Sequence, residues 1–389
     1  MYNLLIAIIY LAFISLGLPD SLLGAAWPII HTEIGVPISY LGIISMIISG
    51  GTIVSSLLSE KVTRKFGTRA VTTFSIFLSA VALLGFSYSD KLWMMILFSI
   101  PYGLGAGAID AALNNYVALH YSSRHMSWLH CFWGVGTIIS PFVMSYALAN
   151  SIWNDGYRII SIIQFSILLI IILSGSAWHI NSSNESNVSN NNTDNIGIIG
   201  AVKIKGVPGL LVGFFAYCAA EATAMSWSCT YLVEVKNMDE ATAAALASCF
   251  FIGMTVGRFL GGFIMNKLGD KKMIWLGTLI GACGILLILI PSNNDTLAII
   301  GLIVFGLGCA PIYPCIIHST PNNFGADKSA TIIGIQMASA YLGTTLMSPL
   351  FGAIAKIIGF EFFPIYLLIF FILMIIMINQ TFNTTQNNK

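Results

Sequence analysis

Apolar stretches long enough to cross a lipid bilayer recur along nearly the whole chain. A helix needs about 20 apolar residues to span a hydrocarbon core about 30 Å thick. Only 8% of the residues are charged and 57% are hydrophobic, whereas about a quarter of the residues in a soluble domain are charged. We therefore predict an all-α membrane protein with twelve transmembrane helices. The predicted spans are roughly 4–30, 38–60, 70–88, 91–119, 126–149, 157–179, 208–233, 241–265, 272–291, 296–319, 328–355 and 360–379.

A polar segment separates the sixth predicted span from the seventh. This segment, residues 181–206, is rich in Asn and Ser at its start and cannot cross a bilayer. We predict that it links two six-helix bundles, residues 1–180 and 207–389. The halves are also weakly self-similar at an offset of roughly 202–203 positions, which places Gly67 on Gly269. Two weakly similar bundles of this kind are typical of secondary transporters.

The distribution of Lys and Arg predicts the orientation in the membrane. Short cytoplasmic loops hold an excess of positive charge. Twelve of the 17 Lys and Arg residues fall on the side that holds the two termini and the linker, four fall on the other side, and Arg258 lies within a span. We therefore expect both termini in the cytoplasm and the protein in the plasma (inner) membrane. The net charge of +1 gives no indication of a nucleic-acid partner.

The sequence lacks the patterns that mark enzymes and metal sites. Its seven cysteines fall within predicted spans and have no paired CxxC spacing. Neither H-E-x-x-H nor G-x-S-x-G is present, and no soluble effector domain is predicted. We therefore predict a protein that is not an enzyme, with no catalytic residues, no metal ligands and no cofactor.

The loop after the eighth predicted span carries a spaced motif in GRFLGGFIMNKLGDKK, Gly257–Lys272. It resembles the cytoplasmic loop motif of the major facilitator superfamily, G-x-x-x-D/N-R/K-x-G-R-K/R, and Asp270 replaces the usual basic ninth residue. Such a loop needs a tight turn at its glycines and charges that can bond to helix ends. Arg258 precedes the motif, and we treat it as a gate or packing residue. The matching residues are Gly262, Asn266, Lys267, Gly269 and Lys271.

Three further segments resemble the fucose–galactose–proton symporter family. Asp20 lies about midway through the first span, and Asp110 is followed four residues later by Asn114 in the fourth. The tenth span contains Tyr313 followed by Pro314. The family usually has glutamate where this chain has the shorter Asp110. The resemblance covers most of the chain and implies uptake of a sugar or similar small polar solute with protons, by a protein that functions as a monomer. Sodium remains open, because some animal relatives use it.

Acids inside the predicted spans are the candidate coupling residues. A charge at the bilayer centre costs a few kcal/mol, so it faces the protein interior and marks a pathway. Burial also disfavours the ionised form of a carboxyl group, which favours proton exchange. We predict proton coupling by Asp20, Asp110 and Glu221. Asp20 has the alternative role of fixing helix packing, and Glu221 has those of a substrate ligand or a partner for Arg258.

Polar and aromatic side chains in the spans are the candidate substrate ligands. An aromatic ring offers a stacking surface for the C–H face of a sugar, and an amide offers the donors and acceptors that suit a polyol. Trp27 has the alternative role of an interfacial anchor, and His130 that of a hydrogen-bonded core histidine. The predicted ligands are Asn114, Trp27, His130, Trp133, Trp227 and Tyr313.

We expect the solute to bind between the two halves near the bilayer midplane, where rocking of the halves exposes it to either side. The alternative is a proton-coupled multidrug exporter of the same superfamily, which would share the fold and the loop motif. Such exporters more often line their cavity with aromatic residues. The combination of Asn114, Asp110 and tryptophan near the midplane favours a polar neutral solute.

Overall fold

A computed structural model of the chain describes residues 2–37, 39–175, 177–178, 196–238, 240–290 and 295–386. Regular structure in these ranges is helical, without strands. Most of the predicted linker lies outside the described residues, so its boundaries stay a prediction. The principal helices are α1 (Tyr2–Gly17), α2 (Leu22–Ile34), α3 (Tyr40–Ser87), α4 (Leu92–His120), α5 (Ser123–Asn150), α6 (Trp153–Leu173), α7 (Gly197–Val202), α8 (Val207–Glu234), α9 (Glu240–Leu268), α10 (Asp270–Leu289), α11 (Asp295–Cys309), α12 (Ile312–Phe324), α13 (Ala326–Ile358) and α14 (Phe363–Gln386), with a 3-10 turn at Phe360–Phe362.

Eleven helical segments among the described residues are long and apolar enough to cross a membrane, where the sequence predicts twelve. The difference lies in α3, whose 48 residues cover two predicted spans, 38–60 and 70–88. At 1.5 Å per residue this helix would measure about 72 Å, more than twice the thickness of a bilayer core. Gly67 interrupts it with φ 80° and ψ 156°, a conformation open to glycine because it has no Cβ.

Gly269 has nearly the same backbone conformation as Gly67. Its φ is 76° and its ψ is 161°, and it separates α9 from α10. These are the two glycines that the internal repeat superimposes. The loop that carries the motif therefore turns the chain at the position equivalent to Gly67 in the first half.

The described chain divides into two compact units. Unit 1 comprises Met1–Tyr116 and Leu129–Asn195, and unit 2 comprises Val117–Trp128 and Ile196–Lys389. The short segment Val117–Trp128, which we call the junction, contains the end of α4 and the start of α5 and belongs to unit 2.

Glycines allow helices within each unit to approach closely. In unit 1, a methyl group on Gly103 of α4 would overlap the carbonyl of Ile48 on α3. In unit 2, a methyl group on Gly306 of α11 would overlap the carbonyl of Phe250 on α9. Membrane helices lack a hydrophobic driving force for association and rely on such close backbone packing.

Two apolar spans are interrupted by short non-helical segments. Residues 18–21 separate α1 from α2, and residues 310–311 separate α11 from α12. A proline lies in each interruption, Pro19 in the first and Pro311 in the second, and proline cannot donate a backbone hydrogen bond. Local turn bonds satisfy much of the backbone at both sites: the Asp20 N–H donates to the carbonyl of Gly17 at 3.2 Å, and the Ala310 N–H donates to the carbonyl of Gly306 at 3.1 Å.

We expect Gly103→Ala to destabilise unit 1, because the added methyl group forces α3 and α4 apart. Overpacking costs about 1–3 kcal/mol, of which the higher helix propensity of alanine offsets about 1 kcal/mol. Gly50→Ala is the matched control on α3, since open space surrounds Gly50. Thermal unfolding of the purified protein, followed by tryptophan fluorescence, should show a lower Tm for Gly103→Ala alone. Equal Tm values for the two variants would contradict this packing.

Candidate functional site

Asp20 lies in the interruption between α1 and α2 and accepts two hydrogen bonds within unit 1. The Tyr102 hydroxyl donates to Oδ1 at 2.6 Å, and the Trp133 indole N–H donates to Oδ2 at 2.9 Å. Asp20 is exposed, whereas the flanking residues Leu18 and Leu22 are buried. The apolar span therefore presents a carboxylate at an accessible surface.

Close packing of α5 against α1 places Trp133 beside Asp20. A methyl group on Gly17 would overlap the carbonyl of Trp133, and a methyl group on Gly136 would overlap the carbonyl of Ile14. The two main chains thus meet directly at this crossing, and the indole of Trp133 reaches across the end of α1.

Ser21 fixes the start of α2 against α5. Its hydroxyl donates to the carbonyl of Thr137 at 2.7 Å and lies 3.0 Å from the Ser140 hydroxyl. These bonds hold the interruption in place without using the Asp20 carboxylate.

The surroundings of Asp20 leave its carboxylate able to form further hydrogen bonds. Both donors, Tyr102 and Trp133, are neutral, and within the described ranges Asp20 is not part of an ion pair. Each carboxylate oxygen has capacity for more than one hydrogen bond. The group can therefore bind a proton or accept a hydrogen bond from a solute hydroxyl.

Asp110, Asn114 and His130 form a second, buried network in unit 1. His130 Nε2 lies 3.1 Å from Asn114 Oδ1, and Asn114 Nδ2 donates to Asp110 Oδ1 at 2.7 Å. With the proton of His130 on Nε2, the hydrogen bonds run from histidine through amide to carboxylate. Asn114 is fully buried, and Asp110 and His130 are 4% and 5% exposed. In this arrangement the network is packed inside the unit and has no accessible surface for a solute.

Glu221 is the partner of Arg258 in unit 2. Arg258 Nη2 lies 3.3 Å from Glu221 Oε1, and both side chains are buried. The sequence left three roles open for Glu221, and the structure pairs it with Arg258. The Tyr217 hydroxyl lies 3.0 Å from Glu221 Oε1 and 2.9 Å from the carbonyl of Cys309, the last residue of α11. Tyr217 therefore connects the ion pair to the interruption that follows α11.

The other predicted aromatic ligands pack against their own units. Trp27 is 2% exposed, with its ring centroid 6.3 Å from that of His31. The Trp227 indole donates to the carbonyl of Ser348 at 2.9 Å. Tyr313 is half-buried, and its ring centroid lies 4.7 Å from that of Phe214. Trp133 is the predicted aromatic ligand that contacts a predicted acid directly.

Two tyrosines missed by the sequence analysis belong to these networks. Tyr217 is one helical turn before Glu221, and this i, i+4 spacing predicts that the two side chains lie on the same face of α8. Tyr102 is 82 positions from Asp20, and nothing in the sequence relates the two residues.

The loop motif of unit 2 binds the junction. Arg124 Nε donates to the carbonyl of Gly262 at 3.1 Å, and the Arg124 backbone N–H donates to Asn266 Oδ1 at 3.3 Å. The Ser127 hydroxyl donates to the carbonyl of Arg258 at 2.6 Å. Gly262 and Asn266, predicted as motif residues, thus contact the junction directly.

The rest of the motif marks the start of α10. Lys267 is exposed, and Lys271 Nζ lies 5.2 Å from the ring centroid of Phe382. Asp270, which departs from the family motif, has Oδ2 2.7 Å from Nδ1 of His318. The motif region therefore holds an acid–histidine contact that the sequence analysis did not predict.

Comparison with known proteins identifies the family. The model of the Major Facilitator Superfamily matches residues 9–236 and 209–382. The chain therefore belongs to the major facilitator superfamily, a family of membrane transporters and not of enzymes.

Relatives and a solved structure are similar over most of the chain. An uncharacterised transporter of this superfamily from Yersinia pestis is 26% identical over 375 residues, covering 90% of this chain and 91% of the relative. The glucose/mannose transporter GlcP of Bacillus subtilis is 22% identical over 353 residues, covering 88% and 86%. The crystal structure of the fucose:proton symporter FucP of E. coli matches with a TM-score of 0.75 at 17% identity, covering 97% of this chain and 98% of that one.

We expect Arg258→Met to destabilise unit 2 more than the double variant Glu221→Gln/Arg258→Met. Removing one member of a buried ion pair leaves an unpaired charge and costs about 3–5 kcal/mol, whereas replacing both members is often nearly neutral. The Tm of each purified variant measures the effect. A double variant no more stable than Arg258→Met would show that the pair does not set this stability.

Proposed function

We propose that the protein is a secondary transporter that takes up a sugar or similar small polar solute together with a proton by alternating access. In this proposal it crosses the plasma (inner) membrane twelve times as two six-helix bundles, with both termini in the cytoplasm. It works as a monomer. The observation that carries the proposal is the exposed Asp20 carboxylate in an interrupted span, held by Tyr102 and Trp133.

The chemistry around Asp20 suits a hydroxylated solute. The carboxylate accepts hydrogen bonds from hydroxyl groups, and the neighbouring indole of Trp133 offers an aromatic face for C–H groups. Interrupted membrane helices are also where transporters commonly bind their substrates. The glucose/mannose and fucose:proton activities in the names of the relatives support the same solute class and, for the second, the proton.

Protonation of Asp20 provides the coupling step. A proton from one side of the membrane binds the carboxylate and cancels its charge, and the neutral, solute-loaded protein reorients at lower cost. Release of the proton on the other side restores the carboxylate and favours release of the solute. Tyr102 and Trp133 serve both states, because a carboxyl group still accepts hydrogen bonds after it is protonated.

Asp110 is the second candidate acid of the mechanism. Its buried network joins α4 to α5 through Asn114 and His130. A change in the charge of Asp110 would alter the hydrogen bonds of this network and, through His130, the position of α5. Asp20, which is exposed, and Asp110, which is buried, are thus proposed as the two proton acceptors of unit 1. Glu221, paired with Arg258, is proposed as a third coupling acid in unit 2.

We expect Asp20→Asn to abolish accumulation driven by a pH gradient while it preserves counterflow exchange of solute. Asparagine cannot exchange a proton, yet its amide can accept from Trp133 and donate to the Tyr102 hydroxyl, so the local packing survives. Uptake of radiolabelled hexose into proteoliposomes measures both activities. Asp90→Asn, which changes an exposed acid outside the helices, is the control. Undiminished accumulation by Asp20→Asn would overturn the coupling role.

We expect neutral hexoses to raise the Tm of the purified protein, whereas cationic drugs and organic anions do not. A ligand that binds only the folded state adds about 2.7 kcal/mol of stability at 100 times its Kd. Stabilisation by drugs alone would favour an exporter. If hexoses raise the Tm only when sodium is present, and equally at every pH, the coupling ion would be sodium and not the proton.

A further inference from the structure

His318 of α12 lies between two acceptor groups of unit 2. Its Nδ1 is 2.7 Å from Asp270 Oδ2, and its Nε2 is 2.9 Å from the carbonyl oxygen of Tyr121 in the junction. The side chains of His318 and Asp270 are 12% and 11% exposed. Both distances are those of hydrogen bonds, and the nearly buried surroundings leave little room for water to replace either bond.

The number of protons decides whether both bonds can exist together. A carbonyl oxygen and an ionised carboxylate only accept hydrogen bonds, and a neutral imidazole has a single N–H group. Neutral His318 beside ionised Asp270 can therefore make one of the two bonds, whichever tautomer it adopts. The observed arrangement requires one additional proton, either on the imidazole or on the carboxyl group.

We infer that Asp270 and His318 form a proton-binding site whose bound proton fastens the junction to α12 and α10. When the proton leaves to water, either the Tyr121 bond or the Asp270 bond is lost, because a lone pair of the imidazole then faces an acceptor. The site is distinct from the proposed coupling acids Asp20 and Asp110, which belong to unit 1, and from Glu221, which is paired with Arg258. In the proposed orientation it lies at the cytoplasmic end, so it responds to cytoplasmic pH.

The titratable groups around His318 single out Asp270 as its partner. Cys315, one turn earlier on α12, contacts the same carboxylate. In the junction, the ring of Tyr121 packs against His125, with centroids 5.4 Å apart, and Arg124 is bound to Gly262. The other ionisable residues close in sequence to these contacts are His120 in the junction, Lys271 and Lys272 on α10, and Asp327 and Lys328 at the start of α13.

Two further bonds of the junction do not depend on a titratable proton. Ser127 donates to the carbonyl of Arg258, and Trp128 donates to the carbonyl of Phe259 at 3.3 Å. Loss of the proton from the Asp270–His318 site therefore loosens the Tyr121 end of the junction, while the end next to α9 stays attached.

Hydrogen–deuterium exchange of the purified full-length protein tests the inference. The measured quantity is the protection of the peptide that covers Tyr121, corrected for the intrinsic pH dependence of exchange, between about pH 5 and pH 8. We expect protection in the wild type to fall by about tenfold as the pH rises, the size expected for one lost charge-assisted hydrogen bond. In Asp270→Asn, the amide donates to Nδ1 while Nε2–H donates to Tyr121, so protection should remain high at every pH.

His125→Gln is the matched control, because His125 contacts Tyr121 but makes no bond to Asp270 among those described. It should keep the pH dependence of the wild type. His318→Phe removes both bonds and should give low protection throughout, and if this variant does not fold, Asp270→Asn still decides the question. The inference is overturned by pH-independent exchange in the wild type, by persistent pH dependence in Asp270→Asn, or by loss of the pH dependence in His125→Gln. None of these outcomes depends on which solute the protein carries.

Discussion

The structure depends on one constraint: inside a membrane, every backbone N–H and C=O must find its partner within the protein. Long helices meet this requirement automatically, and where a helix stops, local turn bonds and side chains supply the partners. At the first interruption, the Ser21 hydroxyl holds α2 to α5. At the second, the Tyr217 hydroxyl accounts for the last carbonyl of α11. Ser21 follows Asp20 directly in the chain, and Tyr217 lies one helical turn before Glu221, so the residues that hold the interruptions neighbour the candidate acids.

The acids of this protein differ chiefly in their partners. Asp20 has two neutral donors, Tyr102 and Trp133. Glu221 has a cationic partner, Arg258, at 3.3 Å, and both side chains are buried. Asp270 has an imidazole, whose charge depends on pH. These three carboxyl groups thus have three kinds of partner, namely neutral donors, a guanidinium and an imidazole, and the roles proposed for them follow from those partners.

The sequence predicts the helical membrane fold well, because the length and polarity of the spans follow directly from bilayer thickness. The repeat also predicts that Gly67 and Gly269 are equivalent, and their backbone angles agree. The contacts of the acids are harder to predict. Tyr217 is one turn from Glu221 and within reach of local reasoning, whereas Tyr102 and Trp133 are 82 and 113 positions from Asp20. Contacts between such distant residues depend on which helices pack against each other, and the spacing and composition of a single sequence do not reveal this packing.

The crossing of α1 and α5 at Gly17 and Gly136 has a consequence for how such a site can diversify. Main chain meets main chain there, so the spacing between the first interruption and the turn that carries Trp133 is independent of the side chains at the site itself. In the proposed role of this site, exchanges at positions 20, 102 and 133 alter the groups presented to a solute and leave this crossing in place. Replacement of either glycine, in contrast, would push α1 away from α5 and so separate Trp133 from Asp20.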